Sequence, residues 1–366
     1  SNAGNITTIN TGSITGSITN SGEITTLNVT GNVDNGITHT AGSITNLTID
    51  KGVILGNNGI TNNAAIGNFT NNANITYSGN GSITGDFSNA SDSTITLNDD
   101  LILNGNGNAF RNDGILKGTI SNIGALSSFT NTGSITGLES GNITELLSNS
   151  NTGIIDNLVV NGNVSQMQNA GNIADAIIKS EITNGIINGD SNYKQAIIGK
   201  LDIQASLGSN GLQNAGTITS LINNFSNTKL NNAGNIGSLD IQKNLNYSGS
   251  GSITNSIDIA SNTTLTTNRI TLDANNGNVN NLGTIAGNLT LEGSSNSVTN
   301  SGSITTIINN ANNSNLTNNS NIGTFIVNES VSYNGNGSDR ITQALEVAKD
   351  KTLTIQNSGS SNGTLY

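Results

Sequence analysis

The first residues that could support chemistry form a short acidic segment. Asn98-Asp99-Asp100 offers adjacent carboxylates, and glycoside hydrolysis requires two acids that flank one bond. Adjacent residues of a strand point to opposite faces, however, and no basic cluster for substrate binding accompanies them. We therefore interpret this segment as a polar turn before Leu101-Ile102-Leu103.

A second segment resembles part of the nucleophile motif of serine proteases. Gly189-Asp190-Ser191 carries the serine, but Asn192 stands where the next glycine is expected. A triad also requires a general base and an oxyanion site. The single histidine, His39, lies in a Thr-rich stretch, and we expect its side chain to point into solvent. We predict no catalytic residue and a chain that is not an enzyme.

Gly-rich segments raise the question of metal or cofactor binding. Calcium-binding repeats follow the pattern G-G-x-G-x-D, and residues 79–82 and 105–109 lack the regular Asp. The G-x-G runs follow no strand-to-helix transition, so they do not form a dinucleotide fingerprint. We predict no metal and no cofactor, and we assign no ligand-binding residue.

Composition excludes several partners. The chain has 12 Lys and Arg against 23 Asp and Glu, a net charge of −11, and its cations are scattered. Nucleic acids and anionic membrane surfaces both attract clustered cations, so we predict no nucleic-acid partner. No segment approaches the roughly 18 apolar residues of a membrane span, so we predict no direct membrane insertion. The absence of Cys excludes disulfides and thiolate metal sites.

The dominant feature is a repeat of the form N-x-G-x-(I/L). It occurs at Asn10, Asn20, Asn112, Asn131, Asn151, Asn169, Asn214, Asn232, Asn281 and Asn300. From Gly114 the glycines follow at 133, 153 and 171, in steps of 19, 20 and 18 residues. No helical periodicity accompanies these steps. Asn makes up roughly a fifth of the chain, far above ordinary usage. The pattern indicates one coil of a solenoid.

The sequence also contains a longer repeat, a module that spans several coils. Residues 212–253 align without gaps with residues 298–339, which lie 86 residues further on. Tyr77, Tyr247 and Tyr333 each open the motif Y-(S/N)-G-(N/S)-G-S. Modules that recur about every 85 residues are therefore clearest around 62–97, 212–267 and 298–355. We expect the recurring aromatic residues to pack in the core or at corners; they are these three tyrosines with Phe69, Phe87, Phe225 and Phe325.

These observations predict an all-β fold, a right-handed parallel β-helix of roughly 18 coils with about 18–20 residues each. Ile and Leu should point inward, and equivalent Asn residues should form amide ladders. Glycine should supply the positive φ of a tight corner. The segment Asp339–Lys351 has helical propensity, but the module alignment predicts a strand there.

The two ends of the sequence indicate the expected limits of the domain. Ser1-Asn2-Ala3 looks like the remnant of a removed expression tag. We expect residues 4–366 to be a single β-helical fragment of a larger secreted protein, because the chain stops within a repeat at Gly363-Thr364-Leu365-Tyr366.

A Cys-free, Asn/Gly/Thr-rich solenoid with N-x-G-x-I-x-x-L coils resembles the passenger regions of bacterial autotransporters, the type V secretion class. Strings such as GSITNSGEITTLNV and NAGNIGSLDI make it most similar to the repeat regions of vacuolating-cytotoxin-like proteins. The resemblance covers nearly the whole chain. It implies export through the outer membrane and a secreted or cell-surface location.

The function implied is a non-enzymatic passenger or stalk for adhesion or host interaction, with virulence as its context. Its partner would be a host-cell surface protein or glycan, and open strand edges allow self-association. Two alternatives stay open: a vacuolating-cytotoxin-like toxin segment, and a polysaccharide-acting enzyme on the same fold. An ice-binding solenoid would require regularly spaced Thr-x-Thr, and the Thr positions here are irregular.

Overall fold

The computed structural model describes residues 1–335 and 339–357. In these ranges the chain forms β-strands and no helix. The predicted right-handed parallel β-helix is confirmed as a parallel β-solenoid of about 18 turns. Asn336-Gly337-Ser338, which end the third Y-x-G motif, and residues 358–366 lie outside the described residues.

The chain divides into two compact units, Ser1–Thr183 and Asn184–Tyr366. The strands of the first unit are β1 (Asn5–Thr11), β2 (Ile18–Asn20), β3 (Glu23–Val29), β4 (Ile37–His39), β5 (Ser43–Ile49), β6 (Ile60–Asn62), β7 (Ala65–Asn71), β8 (Ile75–Ser78), β9 (Ser82–Ile83), β10 (Phe87–Asn89), β11 (Thr94–Leu97), β12 (Leu101–Leu103), β13 (Ala109–Asn112), β14 (Ile115–Asn122), β15 (Ala125–Asn131), β16 (Ser134–Ser140), β17 (Asn142–Asn149), β18 (Ile154–Val160), β19 (Val164–Asn169) and β20 (Asn172–Ile178).

The second unit is built in the same way. Its strands are β21 (Ile186–Asn188), β22 (Ile197–Ile203), β23 (Leu212–Asn214), β24 (Thr217–Asn223), β25 (Thr228–Asn232), β26 (Asn235–Ile241), β27 (Leu245–Ser248), β28 (Ser252–Ile259), β29 (Thr264–Asn275), β30 (Asn278–Asn281), β31 (Thr284–Ser294), β32 (Ser297–Asn300), β33 (Ser303–Asn309), β34 (Ser314–Asn318), β35 (Asn321–Val327), β36 (Val331–Gly335), β37 (Arg340–Val347) and β38 (Leu353–Asn357).

Equivalent strands of successive coils pair in parallel and in register. Between β3 and β5, Ile24 lies beside Ile44 and Leu27 beside Leu47. Between β24 and β26 of the second unit, Leu221 likewise lies beside Leu239. Identical aliphatic side chains therefore stack along the coil axis, and each coil buries its apolar residues against its neighbours.

The seven-residue strands each turn a corner. In β5 the buried side chains are Ile44, Leu47 and Ile49, at positions two, five and seven. A straight strand would bury every second residue, so the change of phase between Ile44 and Leu47 marks a bend of the chain. The bend lets one strand line two sides of a coil, and this explains the I-x-x-L spacing of the repeat.

Aromatic residues fill part of the core as predicted. In the first unit Phe69, Phe87, Phe110 and Phe129 are buried, and consecutive ring centroids lie 5.6, 4.7 and 4.2 Å apart. Tyr77, Tyr247, Tyr333 and Phe325 are buried as well. Phe225 occupies a corner, because it lies between β24 and β25 and is 37% exposed.

The prediction that the glycine of N-x-G supplies a positive φ is wrong for Gly133 and Gly302. Gly133 and Gly302 do not adopt positive φ. A Cβ atom at Gly133 would lie 1.9 Å from the carbonyl oxygen of Gly114, and one at Gly302 would lie 1.9 Å from that of Gly283. Glycine is required because the backbones of adjacent coils touch at this corner, where a methyl group has no room.

The ambiguous segment near the end is a strand, as predicted. β37 covers Arg340–Val347 and pairs with β35, which places Leu345 beside Phe325. The pairing partner overrides the helical propensity of the local sequence.

Close approach at the glycine corner is tested by Gly133→Ala. Since the added methyl would overlap the Gly114 carbonyl, we expect the free energy of unfolding to fall by about 1–3 kcal/mol or more. Gly12→Ala is the matched control, because no described atom lies within 4 Å of the place its methyl group would take, and it should change stability by less than about 0.5 kcal/mol. Equal losses for both variants in denaturant unfolding would contradict this explanation.

Candidate functional site

Most repeated polar side chains are used inside the coils. In the first unit six Asn side chains form a continuous ladder in which each Nδ2 donates to the next Oδ1 at 2.8–2.9 Å; they are Asn71, Asn89, Asn112, Asn131, Asn149 and Asn169. All six are buried. The second Nδ2 hydrogen is also used, since Asn112 donates to the Gly114 carbonyl at 3.0 Å. The predicted amide ladder is confirmed.

The second unit has the same ladders in two runs. Asn188 donates to Asn214 and Asn214 to Asn232, at 2.8 and 2.7 Å. The other run joins Asn281, Asn300 and Asn318, at 2.8 Å for both steps. In all of these runs the earlier residue is the donor, so each ladder has a direction.

Two repeat matches do not belong to the buried ladders. Asn10 and Asn151 are exposed. Around Asn151 the ladder position is taken by Asn149, which donates to the Gly153 carbonyl at 3.1 Å. Asn2, from the segment interpreted as a tag remnant, donates to Asn20 at 2.8 Å, while the origin of residues 1–3 stays a prediction.

Tyrosine ends both ladders of the second unit, where Asn232 donates to the Tyr247 hydroxyl at 3.2 Å and Asn318 to the Tyr333 hydroxyl at 3.0 Å. In the first unit Asn62, which follows His39 at the ladder position, donates in the same way to the Tyr77 hydroxyl at 2.9 Å. Burial raises the pKa of Tyr77 to about 12 and raises the pKa values of the other two.

The motif Y-x-G explains how these ends are built. Gly249 follows Tyr247 by two residues and reaches the ladder position, with φ of 105° and no side chain. A Cβ there would lie 2.1 Å from the carbonyl oxygen of Asn232. The Tyr247 hydroxyl therefore supplies the acceptor that an Asn would otherwise provide. These tyrosines are structural.

The expectation for His39 is wrong. Its side chain is fully buried and replaces an Asn in the ladder, where Nδ1 accepts a hydrogen bond from Asn20 Nδ2 at 3.1 Å. Nε2 then carries the hydrogen and donates to the Ala65 carbonyl at 3.0 Å. Both ring nitrogens are used, so His39 is not placed to serve as a general base.

The other predicted segments form turns. Residues 98–100 precede β12, and Asp99 Oδ2 accepts a hydrogen bond from the Gly79 amide at 2.8 Å. Asp190 Oδ1 accepts from the amides of Asn192 and Tyr193, at 2.7 and 3.0 Å. An Asp that bonds to the amides after it is the ordinary use of this residue in a turn.

One pair of carboxylates does meet on an outer face. Asp240 of β26 lies in register with Asp258 of β28. Partial burial, followed by repulsion from Asp240, raises the pKa of Asp258. In the described ranges, no group of three or more His, Cys, Asp or Glu side chains is placed to hold a metal ion.

An open groove in the second unit is the best candidate for a binding site. Its volume is about 450 Å³, and its floor is formed by outward-facing residues of β23, β25 and β27. Lys229 lies in register with Asn246, and Gln213 with Asn231. The lining residues are Ser209, Asn210, Gln213, Lys229, Leu230, Asn231, Asn246, Tyr247 and Ser248.

Sequence reasoning did not find this groove, although the spacing contained a signal. The step from Asn188 to Asn214 is 26 residues, whereas the step from Asn214 to Asn232 is 18. Of the eight extra residues, six lie between Asn188 and Ile197, and two lie between Ile203 and Leu212, the segment that includes Ser209 and Asn210. Insertions in repeat proteins commonly map to loops at the binding face.

Residues 1–335 and 339–357 contain no helix with the length and apolar character needed to cross a membrane. Comparison of the chain with protein-family models, characterised proteins and solved structures gave no match.

The tyrosine ladder end is tested by Tyr77→Phe. Loss of the hydroxyl leaves an Asn62 N–H unpaired in the core, so we expect the free energy of unfolding at neutral pH to fall by about 1–3 kcal/mol. Because the native pKa is raised from 10.0 to about 12, the contribution of the phenol is complete below pH 10 and decreases above it. The difference from wild type should therefore shrink in alkaline denaturant titrations. Tyr193→Phe, at an exposed tyrosine, should leave stability unchanged.

The carboxylate pair is tested by Asp258→Asn. A raised native pKa means that the folded state binds the proton more tightly, so stability falls as pH rises from the ordinary carboxyl pKa to the native pKa, and the loss is complete above the native pKa. The variant should gain roughly 0.2–1 kcal/mol at neutral pH and nothing below the ordinary carboxyl pKa of about 4. Denaturant unfolding at both pH values checks this, with Asp100→Asn as control. A gain of equal size at acidic pH would refute the assignment.

Proposed function

We propose that the chain is a non-enzymatic β-helical scaffold, exposed on a bacterial surface or secreted, that serves as the passenger or stalk of an autotransporter in adhesion or host interaction. The observation that carries this proposal is the buried amide ladder. The Asn residues that define the repeat form hydrogen bonds between successive coils, as Asn112, Asn131 and Asn149 do. A chain whose repeated polar groups hold its coils together is suited to present a repeating outer surface.

Composition and surface chemistry agree with this role. The chain lacks Cys, and its repeat resembles autotransporter passenger coils. Outward positions are largely Thr, Ser and Asn; in β2, β4 and β6 they are Thr19, Thr38 and Thr61, which lie in register. Such hydroxyl and amide surfaces are neutral and suited to hydrogen bonding with polar partners.

The test is the location of the protein. Antibodies raised against this chain should label intact cells of the bacterium that carries its gene, or detect the protein in the medium. Protease added to intact cells should remove the surface signal while a cytoplasmic marker protein persists. Labelling that requires permeabilised cells, with none in the medium, would refute the proposal.

A second candidate is a polysaccharide-acting enzyme, which the in-register pair Asp240 and Asp258 favours. A carboxyl with a raised pKa beside a second carboxyl is a combination that glycosidases use. Release of reducing ends from polysaccharides, lost in Asp258→Asn, would support the enzyme; no release would support the scaffold.

A further inference from the structure

The wall of the groove in the second unit is held in place without a ligand. Leu207 is buried beneath the loop, and its carbonyl accepts a hydrogen bond from the Gly211 amide at 3.1 Å. Asn210 Nδ2 donates to the Asn184 carbonyl at 3.3 Å, and Gln213 Nε2 donates to the Asn210 carbonyl at 2.7 Å. The loop is therefore tied to the coils on both sides, and a ligand would meet a preformed wall.

The floor of the groove offers unused hydrogen-bonding groups. Lys229 Nζ donates to the Ser209 carbonyl at 3.1 Å, and the other two of its three N–H groups have no acceptor among the described residues. Asn231 Nδ2 donates to Gln213 Oε1 at 2.9 Å, which leaves Asn231 Oδ1 free. Within the same described part of the chain, the side-chain amide of Asn246 makes no hydrogen bond. Donors and acceptors thus lie side by side on adjacent coils.

The charge of the groove is unusual for this chain. Acidic residues outnumber basic ones by 23 to 12 overall, yet none of the residues that line the groove is acidic. Lys229 is the single charged group among them. A carboxylate placed there would meet an ammonium ion and no opposing anion.

We propose that this groove binds an acidic glycan whose carboxylates are separated by neutral sugar units. One carboxylate would lie against Lys229, and neighbouring hydroxyl or N-acetyl groups would bond to Asn231 and Asn246. This inference rests on the proposed function, since it names the ligand class of an adhesive surface.

The geometry favours a glycan over other anionic polymers. A nucleic acid needs several cations to neutralise its phosphates, and the groove has one. An extended peptide would be recognised by a free strand edge, but β25 is paired on both sides, with β23 and β27. An acidic glycan carries isolated carboxylates among many hydroxyl groups. The groove, with one lysine among side-chain amides, is complementary to that pattern.

The test uses the whole chain and hyaluronan oligosaccharides, which carry one carboxylate per disaccharide. Titration calorimetry should show binding by the wild type. Lys229→Ala should weaken it at least about tenfold, because a hydrogen bond to a charged group is lost. Asn246→Ala should weaken it about threefold. Lys243→Ala is the matched control; it removes the same charge from an exposed side chain of the same unit outside the groove and should bind as wild type.

Several outcomes would overturn the inference. These are absence of hyaluronan binding by the wild type, equal losses for Lys229→Ala and Lys243→Ala, and binding of polyglutamate as tight as that of hyaluronan. Neutral chitin oligosaccharides should bind at least about tenfold more weakly than hyaluronan. Circular dichroism should show the same β-spectrum for every variant. A chain located at the cell surface that fails to bind hyaluronan refutes only this site, whereas a cytoplasmic chain refutes the proposed function whatever the groove binds.

Discussion

A buried primary amide must find partners for two hydrogens and one oxygen, and the coils are arranged around that requirement. In the ladder through Asn112 and Asn131, one hydrogen goes to the next Asn, and another goes to a carbonyl of the same corner. An unpaired polar group in such a core costs about 1–3 kcal/mol. Each rung is therefore stable only when the next coil presents an acceptor in register.

This requirement explains the restricted composition. The Asn must recur once per coil, and the backbone at the corner must pass close enough for the side chains to meet. Gly133, which leaves no room for a methyl group, permits that approach. The aliphatic positions follow from the bend that places Ile44 and Leu47 on different sides of the coil. Few apolar residues suffice, because each coil has little interior to fill.

Much of this was predictable from the sequence, because the period of the repeat reports the period of the fold. Coil length, parallel strands, amide ladders and the strand at Arg340–Val347 all follow from the spacing. His39 was missed, because the predicted repeat followed Asn itself; Ile37-Thr38-His39 repeats Ile18-Thr19-Asn20 with His in the place of Asn, and the register of the two strands shows the replacement. The groove was missed for a related reason. Its floor comes from ordinary repeat positions such as Lys229 and Asn246, which become a site only beside the loop of the longer coil.

The direction of the ladders has a consequence for how such a chain changes in length during evolution. Every amide of the buried runs donates toward the later coil, and in the second unit Tyr247 and Tyr333 receive the last hydrogen of their runs. Duplication of a whole turn inserts one donor together with one acceptor and preserves the chain of bonds. Loss of a segment that carries a ladder Asn orphans an amide within the interior, whereas extra loop residues do not, since the 26-residue step from Asn188 to Asn214 keeps its hydrogen bond. Selection should therefore retain genes that change by loop residues or by complete turns, with tyrosine-ended blocks as the natural units of duplication.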